Sequence, residues 1–255
     1  MKQIRCALIL ALAAFAALVA SPGTAETLIE ARSWPAELSG RLDLESLREN
    51  EFFAGVDPIN DLGLEEDGIY ELRLVFRTGK RTVVRLAWQP LVFAGDEAIT
   101  GRIGELEITP RVQTDLDLDY GRVAFAWQFL SSRDGRFRLG PMIEAKGFQG
   151  EAAFSVDNPI VPLVRTTEFE TGLPSAGLML DLEPSRKVHV FAEASVLVDT
   201  DEGELTDGEA GIRYFVTPAF AVTAGYRSIE IDIEDGADVI EIEIDSLFVG
   251  ATFRF

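Results

Sequence analysis

Few residues in this chain could carry chemistry. His189 is the single histidine, and Glu193 lies four positions beyond it. General-base catalysis needs an imidazole within hydrogen-bond reach of the group it deprotonates, with a carboxylate or hydroxyl close by. The location of His189 argues against that use. It follows a short turn expected at Pro184-Ser185, far from the long polar segments where a substrate would meet the protein. The expectation is a hydrogen-bonding histidine, with a catalytic one as the alternative. Asp115-x-Asp117-x-Asp119 has the spacing that opens a calcium-binding EF-hand loop. The glycine comes one place late, at Gly121, and Ala126 stands where a glutamate should close the site. Strand alternation explains the same spacing. Weak, shared binding of divalent cations by an acidic face is one reading, and a solvated face is the other. No catalytic, cofactor-binding or metal-ligating residue is assigned.

The N-terminal segment reads as an export signal. Lys2 and Arg5 precede an apolar run from Ala7 to Ala20, and Ser21-Pro22-Gly23-Thr24-Ala25 supplies small residues for cleavage before Glu26. The run is short for a membrane-spanning helix, though a retained anchor is the alternative. Cys6, the only cysteine, precedes the run instead of following it, which argues against a lipoprotein. Residues 1–25 are therefore expected to leave. The part that remains has no thiol for disulfides, metals or nucleophilic attack. It keeps 21 basic against 43 acidic side chains, a net charge of −22, which disfavours nucleic acid and anionic surfaces as partners. No linker or change of composition divides residues 26–255, which are read as one domain.

From Gly68 onward the chain repeats an alternating strand, a short turn, another strand and a longer polar connection. Tyr70, Leu72, Leu74 and Phe76 alternate with Glu71, Arg73 and Arg77; Val123, Phe125, Trp127 and Phe129 alternate with Arg122 and Gln128. Period-two patterning bounded by Gly, Pro, Asp and Ser is the signature of strands and hairpins. Nine such strands are legible, and Thr27–Trp34 makes ten, with eight as the alternative. Short connections fall near Gly79, Asp134, Pro184 and Pro218. Longer ones cover 35–67, 94–115, 150–173, 199–207 and 234–238. Transmembrane β-barrels segregate short and long connections in this way, whereas a soluble sandwich has no reason to. The fold class expected is all-β: an antiparallel, up-and-down transmembrane β-barrel.

Two features put the apolar faces outward. Phe76, Phe129, Phe137, Tyr214, Phe220, Phe253 and Phe255 gather beside the short turns, as a belt at a membrane interface would, and Tyr70, Trp88 and Tyr226 form a sparser upper belt. The opposite faces carry Arg73, Arg77, Arg85, Arg122, Arg138, Lys146, Arg213, Arg227 and Arg254 against Glu71, Glu144, Asp181, Glu193 and Glu209. One arginine turned to mid-bilayer lipid costs about 2–4 kcal/mol, so several together exceed the stability of an ordinary domain. With Phe148, Phe215 and Phe248, these side chains would fill a ten-stranded lumen. The phase then flips. Asp115, Asp117, Asp119, Glu230, Asp232, Glu234, Glu241, Glu243 and Asp245 take the outer face, with Leu116, Leu118, Tyr120 and the isoleucines at 229, 231, 233, 240, 242 and 244 inside. This predicts walls rising above the bilayer, acidic outside and apolar within. The apolar segment Pro159–Val164 is expected to extend a neighbouring strand.

The ending Gly250-Ala251-Thr252-Phe253-Arg254-Phe255 resembles the terminal strand of bacterial outer-membrane barrels, and Glu209–Tyr214, Thr217-Pro218 and Ala224-Gly225-Tyr226-Arg227 look like small barrels of the OmpA/OmpX type. The resemblance implies a Gram-negative outer-membrane location, contact with outer-membrane lipid and lipopolysaccharide, and recognition by the barrel-insertion machinery through the C-terminal strand. It carries no catalytic residue. Three functional readings stay open: a non-enzymatic envelope or surface-interaction barrel, a narrow conduit or binder for small hydrophobic molecules, and an outer-membrane lipid or peptide hydrolase. Omptin proteases and the lipid A enzymes resemble this architecture and use a histidine, so the last reading would rest on His189. A soluble periplasmic barrel, with every face reversed, is the fourth.

Overall fold

The computed structural model describes residues 25–35, 37–43, 65–66, 69–79, 81–98, 101–103, 106–109, 111–157, 163–197, 203–235 and 238–255. The leader expected at 1–25 lies outside these residues except for Ala25, which opens β1. The strands are β1 (Ala25–Trp34), β2 (Glu37–Asp43), β3 (Glu65–Glu66), β4 (Ile69–Thr78), β5 (Thr82–Ala98), β6 (Gly101–Ile103), β7 (Leu106–Ile108), β8 (Arg111–Trp127), β9 (Leu130–Ser131), β10 (Phe137–Asp157), β11 (Leu163–Ser185), β12 (Val188–Leu197), β13 (Glu204–Thr217), β14 (Phe220–Asp235) and β15 (Asp238–Arg254). No helix occurs among the described residues, so any passage of these residues across a bilayer is by strands.

Ten of these strands form a closed antiparallel barrel in the order β1-β4-β5-β8-β10-β11-β12-β13-β14-β15, and β15 pairs back onto β1. Each strand neighbours the next in sequence, the up-and-down arrangement expected. Closure leaves no unpaired edge, which a wall in lipid cannot tolerate. The seam is continued at the chain ends: Thr27 N–H donates to the Phe255 carbonyl at 3.2 Å, and Phe255 N–H donates back to Thr27 at 2.9 Å.

Short turns join β4 to β5, β11 to β12 and β13 to β14, and a turn carrying β9 joins β8 to β10. They lie at one end, together with Ala25 and Phe255. Gly79 turns the first at φ 65°, a left-handed backbone that favours glycine. The turn expected at Pro184-Ser185 is centred two residues later, on Arg186-Lys187, because Ser185 still pairs with Val188. The other end differs more from expectation. Residues placed in long loops belong to strands: β5 runs on to Ala98, β8 begins at Arg111, and β10 and β11 remain paired as far as Val156 and Leu163. Leu163 and Val164 do extend a strand, while Pro159–Pro162 lie outside the described residues. β2 lies in the expected 35–67 loop and pairs with β15 in the same register as β1, so it continues that strand beyond Pro35.

The exposure pattern inverts that of a soluble protein. Tyr70, Ile143, Leu178, Leu247 and Val249 point outward and exposed, whereas Arg73, Lys146 and Arg227 are about 99% buried (1% exposed each). The outward apolar phase therefore holds, and the soluble inside-out alternative fails. Trp127, Phe129, Phe137, Tyr214, Phe253 and Phe255 are exposed around the short-turn end. At the far rim of the apolar band, Trp88 Nε1 donates to Asp119 at 3.0 Å and the Tyr226 hydroxyl to Asp245 at 2.6 Å. Each ring thus sits on the apolar side of the boundary with its polar tip at the first acids of the outer skin, as interfacial aromatics do.

Candidate functional site

Most buried polar groups among the described residues converge in the lumen. Strand alternation turns every second residue inward, and antiparallel registers stack these positions at matching heights. β4 contributes Glu71, Arg73 and Arg77; β8 contributes Tyr120 and Arg122; β13 contributes Asp207, Glu209 and Arg213. Arg73 grips Glu209 with two parallel bonds of 2.7 and 2.6 Å and reaches Glu71 with two more of 3.1 and 2.8 Å. Arg32 adds Glu209 at 2.9 Å and Glu30 at 3.0 Å, and Arg213 reaches Glu30 at 2.8 Å. On the other side of the lumen Arg85 pairs with Glu193 and with Glu144, the latter at 3.0 Å. Arg122 meets Asp207 at 2.6 Å and Glu193 at 3.1 Å, and Lys146 lies 3.5–3.6 Å from Asp207 and Glu144.

His189 belongs to this lattice. Its Nε2 lies 2.7 Å from Asp181, which also receives two bonds from Arg77 and one from Gln128. Its Nδ1 faces Arg213 Nη1 at 3.4 Å. A guanidinium can only donate, so Nδ1 accepts and Nε2 carries the proton toward Asp181. Both ring nitrogens are therefore engaged. Glu193, its sequence neighbour on β12, bonds Arg85 and Arg122 instead.

An apolar collar sits above the charges. Trp34, Leu91, Phe93, Tyr120, Phe191, Ile229, Ile244 and Phe248 form one buried cluster, with Leu116, Leu118, Phe148, Ile231 and Ile242 packed against it. Tyr120 stacks on Phe148 with ring centroids 4.4 Å apart, and its hydroxyl donates to Asp207 at 3.0 Å, tying collar to lattice. Arg32 lies 4.3 Å over the Phe248 ring and Arg213 4.1 Å over Phe191. The collar expected from the phase flip is present, although the side chains of Ile233 and Ile240 lie outside the described residues. Its outer counterpart is also present. Asp115, Asp117, Glu230, Asp232, Glu241 and Glu243 are exposed, and Glu230 stands directly opposite Glu243, as Asp232 does opposite Glu241. Among the described residues no group of His, Cys, Asp or Glu is arranged to hold a metal ion.

At the short-turn end a pocket of about 460 Å³ opens between Glu183, Arg186, Lys187, His189, Phe215 and Arg254. Arg138 is bonded to Glu183, and Arg254 lies 3.8 Å over Phe215 and bonds Glu26 at 2.7 Å. These are the two expected lumen cations that stand at the mouth and not in the lattice. The lattice also holds residues the sequence reading missed. Glu30 and Arg32 alternate with Ile29 and Ala31 inside β1, and Asp207 precedes Glu209 by one inward step. The same period-two rule, carried one or two residues further, finds them.

No known protein-family profile matches the chain, and no curated protein matches it in sequence. Solved structures do. The outer membrane protease OmpT from Escherichia coli aligns over 92% of this chain and 98% of its own, with a TM-score of 0.52 at 10% identity. The translocator domain of autotransporter NalP from Neisseria meningitidis aligns over 100% and 97%, with a TM-score of 0.44 at 12% identity. Ail, the attachment invasion locus protein of Yersinia pestis, aligns over 91% and 97%, with a TM-score of 0.36 at 10% identity. At such identity the likeness to OmpT is one of fold. With the closed wall, the outward apolar band and the charged interior, it identifies the chain as folding into an outer-membrane β-barrel of ten antiparallel strands.

Proposed function

We propose that this protein is a sealed, non-enzymatic barrel that serves the envelope or its outer surface. The observation that carries the reading is the double filling of the lumen, a lattice of cross-wall ion pairs beneath a packed apolar collar. An ion entering from either end would have to displace bonded guanidinium–carboxylate pairs, and it would meet apolar side chains that offer no coordination. His189 has no ring nitrogen left to activate a nucleophile, which supports a non-catalytic role. In this reading β15 is the strand presented to the insertion machinery, and the acidic outer skin meets lipopolysaccharide phosphates through shared divalent cations. Planar-bilayer recording of the purified protein is the test. Conductance at the bare-bilayer baseline is expected, and steady single-channel current would overturn the seal.

The collar favours one further reading, a binder of small apolar molecules. Saturable uptake of a hydrophobic fluorophore, lost in Phe93→Ala, would carry it. Equal uptake by that variant would sink it.

A further inference from the structure

Among the described residues the two ends of the barrel carry opposite charge, and the cationic end opposes the chain's own net −20. At the short-turn end Arg81, Arg133, Arg186 and Lys187 are all exposed, and none is ion-paired with a described carboxylate. Arg136 beside them shares only Asp134, at 3.5 Å in the open. These cations occupy the β4–β5, β8–β10 and β11–β12 turns, which are consecutive around the rim. The β13–β14 turn, Pro218-Ala219, adds no charge. The cations therefore form an arc. Exposed Trp127, Phe129 and Phe137 lie along the same arc, and Gln128 N–H bonds the Arg81 carbonyl at 2.7 Å. Aromatic rings of a transmembrane barrel sit at headgroup level, so the neighbouring guanidinium groups reach the phosphate plane.

We propose that this arc is a binding surface for anionic phospholipid headgroups in the periplasm-facing leaflet. The proposal rests on the membrane-barrel reading and adds a lipid class and a side of the barrel to it. A guanidinium forks two donors onto one phosphate, which suits Arg81, Arg133 and Arg186. Charge complementarity favours lipid over a protein partner, because the cations are spread along the membrane boundary and not gathered in a patch facing the periplasm. A single engaged cation corresponds to about a fivefold preference for an anionic over a neutral headgroup.

Two native tryptophans report the two ends. Trp127 is exposed at the short-turn end, Trp88 at the opposite rim, and Trp34 is buried in the collar away from lipid. The protein carrying Trp88→Phe is reconstituted in mixed phosphatidylglycerol–phosphatidylcholine bilayers with one lipid brominated in turn. Brominated phosphatidylglycerol is expected to quench Trp127 several-fold beyond its bulk fraction. The excess should collapse in 1 M salt, where the screening length falls to about 3 Å. It should also collapse in the quadruple variant Arg81→Gln, Arg133→Gln, Arg186→Gln, Lys187→Gln, whose retained heat-dependent gel mobility shows an intact barrel. The reciprocal Trp127→Phe protein, reporting from Trp88 beside Asp119, is expected to show no such preference. Equal quenching of Trp127 by the two brominated lipids would overturn the proposal and leave the membrane reading standing. Quenching by neither would overturn both.

Discussion

Arg73 and Glu209 face each other across the lumen and join β4 to β13 through two parallel bonds of 2.7 and 2.6 Å. The shorter way round the wall between them passes through β1, β15 and β14. Arg77–Asp181, Arg122–Asp207 and Arg227–Gln89 each span the same number of strands. Every one of these pairs ties opposite walls together, so the lattice is both the filling of the barrel and its internal bracing.

Removing one partner should cost more than removing both. Arg73→Met leaves Glu209 and Glu71 buried with reduced compensation, and a loss of about 3–5 kcal/mol is expected. The double variant Arg73→Met, Glu209→Met should recover part of it. Urea unfolding of the bilayer-inserted protein, followed by gel mobility, checks the order. A double variant less stable than the single one would contradict it.

The lattice and the collar close the lumen in series. Leu91→Ala with Phe93→Ala opens only the collar, and Arg85→Ala with Glu193→Ala only the lattice. Each pair alone is expected to leave conductance at baseline, with current appearing when all four changes are combined. Bilayer recording distinguishes this from a single seal, for which one pair would suffice.

Ile143 is 64% exposed on the outer wall. Ile143→Arg should destabilise the bilayer-inserted barrel by about 2–4 kcal/mol, whereas Asp117→Arg, on the same wall above the apolar band, should change stability little. Similar effects at the two sites would place the membrane boundary wrongly.

Gly225 is held by contact. A Cβ there would lie 2.4 Å from the Ala210 carbonyl oxygen and 2.4 Å from the Phe248 ring. Gly225→Ala is expected to cost about 1–3 kcal/mol. Adding Phe248→Ala relieves only the ring contact, so the double variant should remain less stable than Phe248→Ala alone.

Asp134, in the β8–β10 turn, is held below the usual aspartate range by the hydrogen bond from Ser132, with the Arg136 backbone N–H second. A folded-state value lower than the unfolded one stabilises at neutral pH, and that help fades as pH falls through the lowered value. Ser132→Ala should bring the carboxylate back toward its ordinary titration, which a carbon-detected NMR titration reads directly.

Much of this fold was legible because a lipid-facing wall obeys a simple rule. Tyr70 to Arg77 and Val123 to Phe129 alternate without interruption, and buried arginines exclude the opposite phase. What escaped has physical causes. Residues 111–114 and 163–173 are rich in Thr, Glu, Gln and Gly and look like loops, yet strands standing in water accept such residues on their outer faces. Pro35 hid β2, since a proline reads as a strand's end, while the register across β15 continues past it. The partners of His189 were also out of reach. Asp181 is two strand ends and a turn away, and Arg213 comes from another hairpin. Which inward residues meet across a barrel depends on the stagger of its strands, which no single strand encodes.

The pairing of β1 with β15, finished by the two bonds between Thr27 and Phe255, joins the first and last strands of the described chain. Hairpins such as β13–β14 can zip locally, but this seam forms only by bringing together segments separated by nearly the entire sequence. The loop that must close is the longest the chain offers, and its entropy is lost before the final ladder returns any energy. Until then the strands on either side of the gap show bare backbone, in a medium that does not solvate it. The topology therefore makes closure of this seam the step with the highest entropic cost, and it is the step that turns an open sheet with two bare edges into a continuous wall.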